Sequence, residues 1–292
     1  MTDRERFLAS TDWLAEHVGE PGMRVLECTV FLRPRPDGGP GYRVETGEAE
    51  WLAGHIPGSG YADLHNDLSD LSSHLRFMMP PAQQFEEAMG RYGVGNDSNV
   101  VLYDRAGNMW AARIWWMLRA FGFDNARVLD GGWKKWLAEG RPVEAGPAES
   151  PAARFTANLR PRLIASKDEV LSLVQSGDAC IVNALNGAQH RGEVAPYGRP
   201  GHISGSTNVP AMGHGGVVDP DTQTYLADDE IRRLFAAAGA QPEKRMVTYC
   251  GGGIAASSAA FAATMAGFTD VAVYDASLSE WAADASLPME TI

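Results

Sequence analysis

The feature that most constrains this chain is that it repeats itself. Gly54-His55-Ile56-Pro57-Gly58 returns 147 residues later as Gly201-His202-Ile203-Ser204-Gly205. Val100-Val101-Leu102-Tyr103-Asp104 returns 146 residues later as Met246-Val247-Thr248-Tyr249-Cys250. Val128-Leu129-Asp130, followed by Trp136, returns 145 residues later as Val273-Tyr274-Asp275, followed by Trp281. Three anchors at a nearly constant offset, half the length of a 292-residue chain, mean two copies of one domain. The copies read as residues 1–140 and 154–292. Between them, residues 141–153 carry Pro142, Pro147 and Pro151 and have linker composition.

Within each copy, short β-branched runs alternate with helical patterns. Arg24 to Glu27 and Cys180 to Asn183 read as first strands, Val100 to Tyr103 and Met246 to Tyr249 as central ones, Arg127 to Leu129 and Val271 to Tyr274 as later ones. Ser166 with Glu169 forms a capping box ahead of Val170, Leu171 and Val174. Ile231, Leu234, Phe235 and Ala238 follow helical spacing and Gly239 closes that helix; Phe85, Met89 and Tyr92 before Gly93 do the same in the first copy. Apolar strands alternating with helices predict an α/β fold, a parallel sheet covered on both faces. Ligands of such sheets sit beyond the carboxyl ends of the strands.

The second copy places a thiol there. Cys250 ends an apolar run and is followed by Gly251, Gly252 and Gly253, then by a small-residue stretch that reads as a helix. Glycines let backbone amides converge, and a helix N-terminus adds positive potential. A cysteine in such a loop is favoured as thiolate and can carry an anionic adduct. The first copy has Asp104-Arg105-Ala106-Gly107-Asn108-Met109 instead. A carboxylate is no soft nucleophile, so the first copy reads as structural. His55 and His202 occur in both copies and read as turn-stabilising rather than as bases. Trp133, Trp136 and Trp281 read as core.

Charge narrows the partners. With 37 acidic against 25 basic residues the net charge is −12, which argues against nucleic acid and anionic membrane surfaces. Cys28, Cys180 and Cys250 are odd in number with no CxxC pair, which fits a reducing, cytoplasmic setting. The charged N-terminus shows no secretory signal, and no run of 18 apolar residues exists.

The chain resembles the two-domain rhodanese-type sulfurtransferases, the family of thiosulfate and 3-mercaptopyruvate sulfurtransferases. The marks are Gly54-His55-Ile56-Pro57-Gly58, Tyr103-Asp104-Arg105, Leu129-Asp130-Gly131-Gly132-Trp133, and Arg191-Gly192-Glu193 ahead of Gly201-His202-Ile203. Their order and spacing span nearly the whole sequence. The resemblance implies two tandem rhodanese-like domains, the second catalytic. It implies Cys250 as nucleophile and Gly251, Gly252, Gly253, Ile254 and Ala255 as a persulfide-binding loop. The implied reaction is ping-pong: sulfane sulfur passes from a small anionic donor to Cys250, then to a thiol, cyanide or sulfite. No metal and no organic cofactor is implied.

The loop is closer to Cys-Gly-Ser-Gly-Val-Thr of mercaptopyruvate-preferring members than to the basic loops of thiosulfate-preferring ones. Gly252 stands at the usual serine and Ala255 at the usual threonine. A family Asp-x-Arg and a further arginine appear here as Asn183, Leu185 and Gln189. Gln189, Arg191 and Arg199 are therefore the expected donor-binding residues. A rhodanese-like phosphatase would need an arginine six residues after the cysteine, where Ala256 stands. A redox-sensing thiol would need a resolving cysteine, and Cys28 and Cys180 read as buried strand residues. A low-turnover persulfide carrier or interaction protein on the same scaffold is the alternative that keeps Cys250 and explains Leu185 and Gln189.

Overall fold

The computed structural model describes residues 4–37, 41–148 and 150–292. The chain divides into two compact units: Met1–Ser72, Met79–Leu159 and Thr222–Thr224 form one, Ser73–Met78, Arg160–Asp221 and Tyr225–Ile292 the other. The first unit's main sheet is built from β1 (Leu8–Ala9), β2 (Met23–Glu27), β3 (Gly60–Tyr61), β4 (Asn99–Tyr103) and β5 (Ala126–Leu129). All pairings are parallel, in the order β1-β5-β4-β2-β3. The second unit repeats this with β6 (Ile164–Ala165), β7 (Cys180–Asn183), β8 (Thr207–Asn208), β9 (Met246–Tyr249) and β10 (Val271–Tyr274), in the order β6-β10-β9-β7-β8. The sequence repeat is thus a repeat of topology, strand for strand.

Five α-helices accompany each sheet among the described residues. They are α1 (Thr11–His17), α2 (Glu48–Ala53), α3 (Ala82–Arg91), α4 (Met109–Ala120) and α5 (Gly132–Ala138), then α6 (Lys167–Ser176), α7 (Gly187–Arg191), α8 (Asp228–Ala237), α9 (Ile254–Met265) and α10 (Ser277–Trp281). Four of the five residues of β4 and every residue of β9 are buried, as a strand covered on both faces requires. The alanines and serines of α9 are buried almost all round, which lets it lie close on β9 and β10. No helix among the described residues is long and apolar enough to cross a membrane.

The caps follow the expected chemistry, with one difference. Gly93 (φ 75°) and Gly239 (φ 86°) lie just past α3 and α8. Ser166 Oγ accepts from the Glu169 amide at 3.2 Å, but the Glu169 carboxylate turns to Arg245 (2.6 Å) instead of closing the box. An ion pair with a guanidinium outcompetes a hydrogen bond to one amide.

Both copies use their shared residues alike. Trp136 Nε1 donates to Pro142 O at 2.8 Å, and Trp281 Nε1 to Pro288 O at 3.0 Å, with both indoles buried. Tyr103 Oη pairs with Ser59 Oγ and accepts the Ile56 amide; Tyr249 Oη does the same with Ser206 and Ile203. His55 Nδ1 bonds Trp51 O and His202 Nδ1 bonds His190 O, each at 2.8 Å. The histidines are held by main-chain carbonyls in both copies, as turn residues. Residues 141–148 and 150–159 belong to the first unit. Glu144 pairs with His55, Ala153 donates to Gly90 O, and Phe155 packs on Phe85 and Phe123.

Candidate active site

Central strand β9 delivers the chain to Cys250 at the carboxyl edge of the second sheet. Tyr249 stands opposite Asn183 of β7, and its carbonyl accepts the Ala184 amide at 2.8 Å. Cys250 is 3% exposed. Gly253 (φ 81°) is the left-handed residue that turns the loop into α9. A side chain there would be strained.

Most of the loop's framework comes from α10. The amides of Cys250 and Gly253 both donate to Ser277 Oγ, at 3.0 and 3.3 Å. Ser277 Oγ in turn donates to Tyr274 O at 2.7 Å. Ser277 holds φ at 53°, a conformation that costs a non-glycine residue about 1 kcal/mol or more. The Leu278 amide donates to Cys250 O, and both the amide and the hydroxyl of Ser279 donate to Gly251 O. The amides of Gly252, Ile254, Ala255 and Ala256 find no acceptor among the described residues. They are donors at the start of a three-turn helix, where negative charge is stabilised. On the other side, the phenol of Tyr197 lies against Gly251: a Cβ built on Gly251 would stand 2.0 Å from its Cζ and Oη.

The first copy fills the equivalent space with its own carboxylate. Asp104 Oδ1 accepts the amides of Ala106 and Asn108, and Oδ2 those of Trp110 and Ala111, all at 2.8–2.9 Å. Burial still raises the Asp104 carboxyl above its usual range, against those four amides. Arg105 is held by Glu27 and by the carbonyls of Glu50 and Gly54, with its guanidinium 4.5 Å from the Trp133 ring centre. That loop is complete and has no nucleophile.

The expected donor-binding residues follow β7. Asn186 Oδ1 caps α7 by accepting the Gln189 amide at 3.0 Å. Arg191, on the same short helix, is exposed and pairs with Glu193 at 2.7 Å. Arg199 directs its guanidinium to the carbonyls of Trp281, Ala282, Asp284 and Leu287, at 2.8–3.3 Å. Leu185 is buried, and Asn183 Oδ1 accepts the Leu185 amide while its Nδ2 faces His190 Nδ1 at 3.2 Å.

His190 and His202 stack with ring centres 3.9 Å apart. Burial, then the neighbouring His202 and Arg191, lowers the His190 pKa from 6.5 to about 4. A depressed pKa means that the unfolded chain takes up a proton the folded one refuses. The resulting stability is present above pH 6.5 and is lost as pH falls towards about 4. Urea midpoints across that range should fall with pH, and His190→Gln should flatten the fall. An unchanged slope in the variant would place the titrating group elsewhere.

The other thiols are placed for packing. Cys28 is fully buried, and burial with Asp104 and Glu27 pushes its thiol well above the usual range. Cys180 is half-buried rather than buried as expected, because it opens an outer stretch of β7 near Thr207 and Ala238. Burial raises it too.

Ser277, Ser279 and Tyr197 went unseen in the sequence. The repeat holds a signal for one of them. Ser277 lies 145 residues after Gly132, and both adopt φ near 52° (53° and 52°). A serine at a position where the sister copy needs glycine marks a residue kept for its side chain.

Comparison with known proteins places these observations. The rhodanese-like domain family matches residues 10–139 and 166–284. The 3-mercaptopyruvate sulfurtransferase of Escherichia coli strain K12 is 32% identical over 289 residues, covering 98% of each chain. The thiosulfate sulfurtransferase of Bos taurus is 33% identical over 293 residues, covering 94% of this chain and 92% of that one. The crystal structure of the Escherichia coli 3-mercaptopyruvate enzyme SseA superposes with a TM-score of 0.81 at 30% identity, covering 93% of this chain and 98% of that one.

Proposed function

This chain belongs to the rhodanese-like family and is a sulfurtransferase of the thiosulfate or 3-mercaptopyruvate type, and from that premise we propose that Cys250 carries the sulfur as a persulfide. The Cys250 thiolate attacks the transferable sulfur of the donor, the outer sulfur of thiosulfate or the thiol sulfur of 3-mercaptopyruvate, which keeps its proton. A sulfur–sulfur bond forms, and the donor's bond to that sulfur breaks. The electron pair leaves with sulfite from thiosulfate, or with the enolate of pyruvate from 3-mercaptopyruvate. An acceptor thiol, cyanide or sulfite then attacks the outer sulfur and expels the thiolate.

One observation carries this reading. The first copy's loop spends four amides on the Asp104 carboxylate, while the second copy offers a thiol at the matching strand end beside amides with no acceptor among the described residues. A persulfide anion in that loop meets preorganised donors. Gln189 and Arg191 are proposed to meet the donor's anionic end, and Arg199 to hold their segment through its carbonyl contacts. A thiol that must stay reduced between turnovers suits the cytoplasm.

Steady-state rates with the two donors test the assignment. Gly251 follows the cysteine with no basic side chain, so 3-mercaptopyruvate should be the better substrate. Gln189→Arg should improve kcat/KM for both donors by about tenfold, since a charge-assisted hydrogen bond is worth about 1.5–3 kcal/mol against about 1 for a neutral one. Slow turnover with both donors and no gain in Gln189→Arg would favour the carrier reading, to which the engagement of Arg191 by Glu193 also points.

A further inference from the structure

Resting on the donor-binding role proposed for Gln189 and Arg191, we propose that Asn183 and His190 are positioning residues for the donor: the imidazole takes the Asn183 amide and so fixes α7 against the end of β7. Helix α7 has five residues, too few to hold its own shape, and carries Gln189 and Arg191 on either side of His190. Asn183 is fully buried and His190 is 6% exposed, with Asn183 Nδ2 3.2 Å from His190 Nδ1. The direction of that bond follows from a second one. The Leu185 amide donates to Asn183 Oδ1 at 3.0 Å, so the other end of the carboxamide is the donor and His190 Nδ1 must accept. The ring proton then sits on Nε2. A pKa of about 4 keeps the Nδ1 lone pair unprotonated at neutral pH. The same asparagine supports the hydroxyl of Tyr249, the residue before Cys250.

The first copy fills the same place differently. Glu27 stands opposite Tyr103 as Asn183 stands opposite Tyr249, and its carboxylate is taken by Arg105 and Thr29. The ring that stacks on the shared histidine is Trp51 in the first copy and His190 in the second, with centroids 4.8 and 3.9 Å from those of His55 and His202. In both copies the carbonyl of that residue accepts from the shared histidine. An indole offers only a donor, and Trp51 Nε1 gives it to Ser59 O at 3.0 Å. An imidazole stacks as well and adds an acceptor. Either ring serves packing, so the acceptor is what distinguishes the copy that holds the nucleophile. The charged and titratable groups around the imidazole are His202, Tyr249 and Arg191 with its partner Glu193, and Glu290 lies 3.8 Å from His202 Nε2.

Donor kinetics of His190→Phe, Asn183→Asp and the Asn183→Asp/His190→Phe double variant test this, with the sulfur load on Cys250 read by mass. Phenylalanine keeps the stack on His202 and removes the acceptor. His190→Phe should raise the KM for 3-mercaptopyruvate about fivefold, the worth of one neutral hydrogen bond, and change kcat less than about twofold. Asn183→Asp keeps the acceptor for the Leu185 amide but sets a carboxylate oxygen against the Nδ1 lone pair. Its KM should rise as much at about pH 8 and return towards the native value below about pH 6.5, where an imidazole beside a carboxylate takes up a proton and donates. The double variant should keep a raised KM with no such return. The Asn183→Asp profile does not depend on the phenylalanine fitting. A His190→Phe protein with native KM, where Gln189→Arg does shift KM, overturns the positioning role alone. So does an Asn183→Asp protein whose KM ignores pH, or a return that survives in the double variant. If neither His190→Phe nor Gln189→Arg moves KM while Cys250 loads normally, α7 holds no donor and both readings fall.

Discussion

Cys250→Ser should lose sulfur transfer by at least about 10³-fold and keep its fold. A serine hydroxyl is not ionised near neutral pH and is no soft nucleophile for sulfur, so the first step has no attacking group. The exchange is nearly isosteric, and a hydroxyl there can accept from the neighbouring loop amides, so thermal unfolding should barely move. The other thiols give the contrast. Cys28→Ser places a hydroxyl at a fully buried position and should cost about 1–2 kcal/mol of stability while transfer continues. Cys180→Ser, half-buried near Thr207, should cost less and leave transfer intact. Unfolding curves and turnover of the three variants separate nucleophile from packing. Substantial transfer by the Cys250→Ser protein would remove the cysteine from the chemistry.

Removing one hydroxyl outside the loop should do nearly as much damage. Ser277→Ala strips the acceptor from the Cys250 and Gly253 amides and the donor from Tyr274 O, all buried. An unsatisfied buried amide costs about 1–3 kcal/mol, so roughly 2–4 kcal/mol of stability should go. The alanine also keeps the left-handed φ of 53° and its strain. Loss of the framework that fixes the thiol should lower kcat by about 10²-fold, as misplacement by an ångström does elsewhere. Ser277→Gly relieves the backbone and should recover about 1 kcal/mol of stability, with kcat as low as in the alanine protein. Urea unfolding and kcat measured on both variants check this. Two fully active proteins would mean that the loop holds its shape without Ser277.

The fold was legible because a tandem repeat predicts the same topology twice. Matched anchors such as Tyr103 and Tyr249, or Trp136 and Trp281, predict equal places in equal sheets, and they make equal hydrogen bonds. Cys250 was legible because strand, thiol, glycines and helix are contiguous, so local propensity reports the geometry. Ser277, Ser279 and Tyr197 reach the loop from segments 27, 29 and 53 residues away, and no local pattern announces such a meeting. The arginines were half legible. A charge in the sequence predicts that a partner exists without naming it, and here the partners of Arg191 and Arg199 are Glu193 and a set of main-chain carbonyls. The Glu169 carboxylate shows the same effect, since its local box lost to Arg245 from a distant segment.

The most direct test of the central claim is a mass map of the three cysteines after brief exposure of the native protein to 3-mercaptopyruvate, alkylated before digestion. One added sulfur should appear on the peptide that carries Cys250, with Cys28 and Cys180 unmodified. It should vanish when cyanide or a thiol is added, with release of one equivalent of product. Sulfur on Cys28 or Cys180, or none on Cys250 while turnover proceeds, would contradict the account.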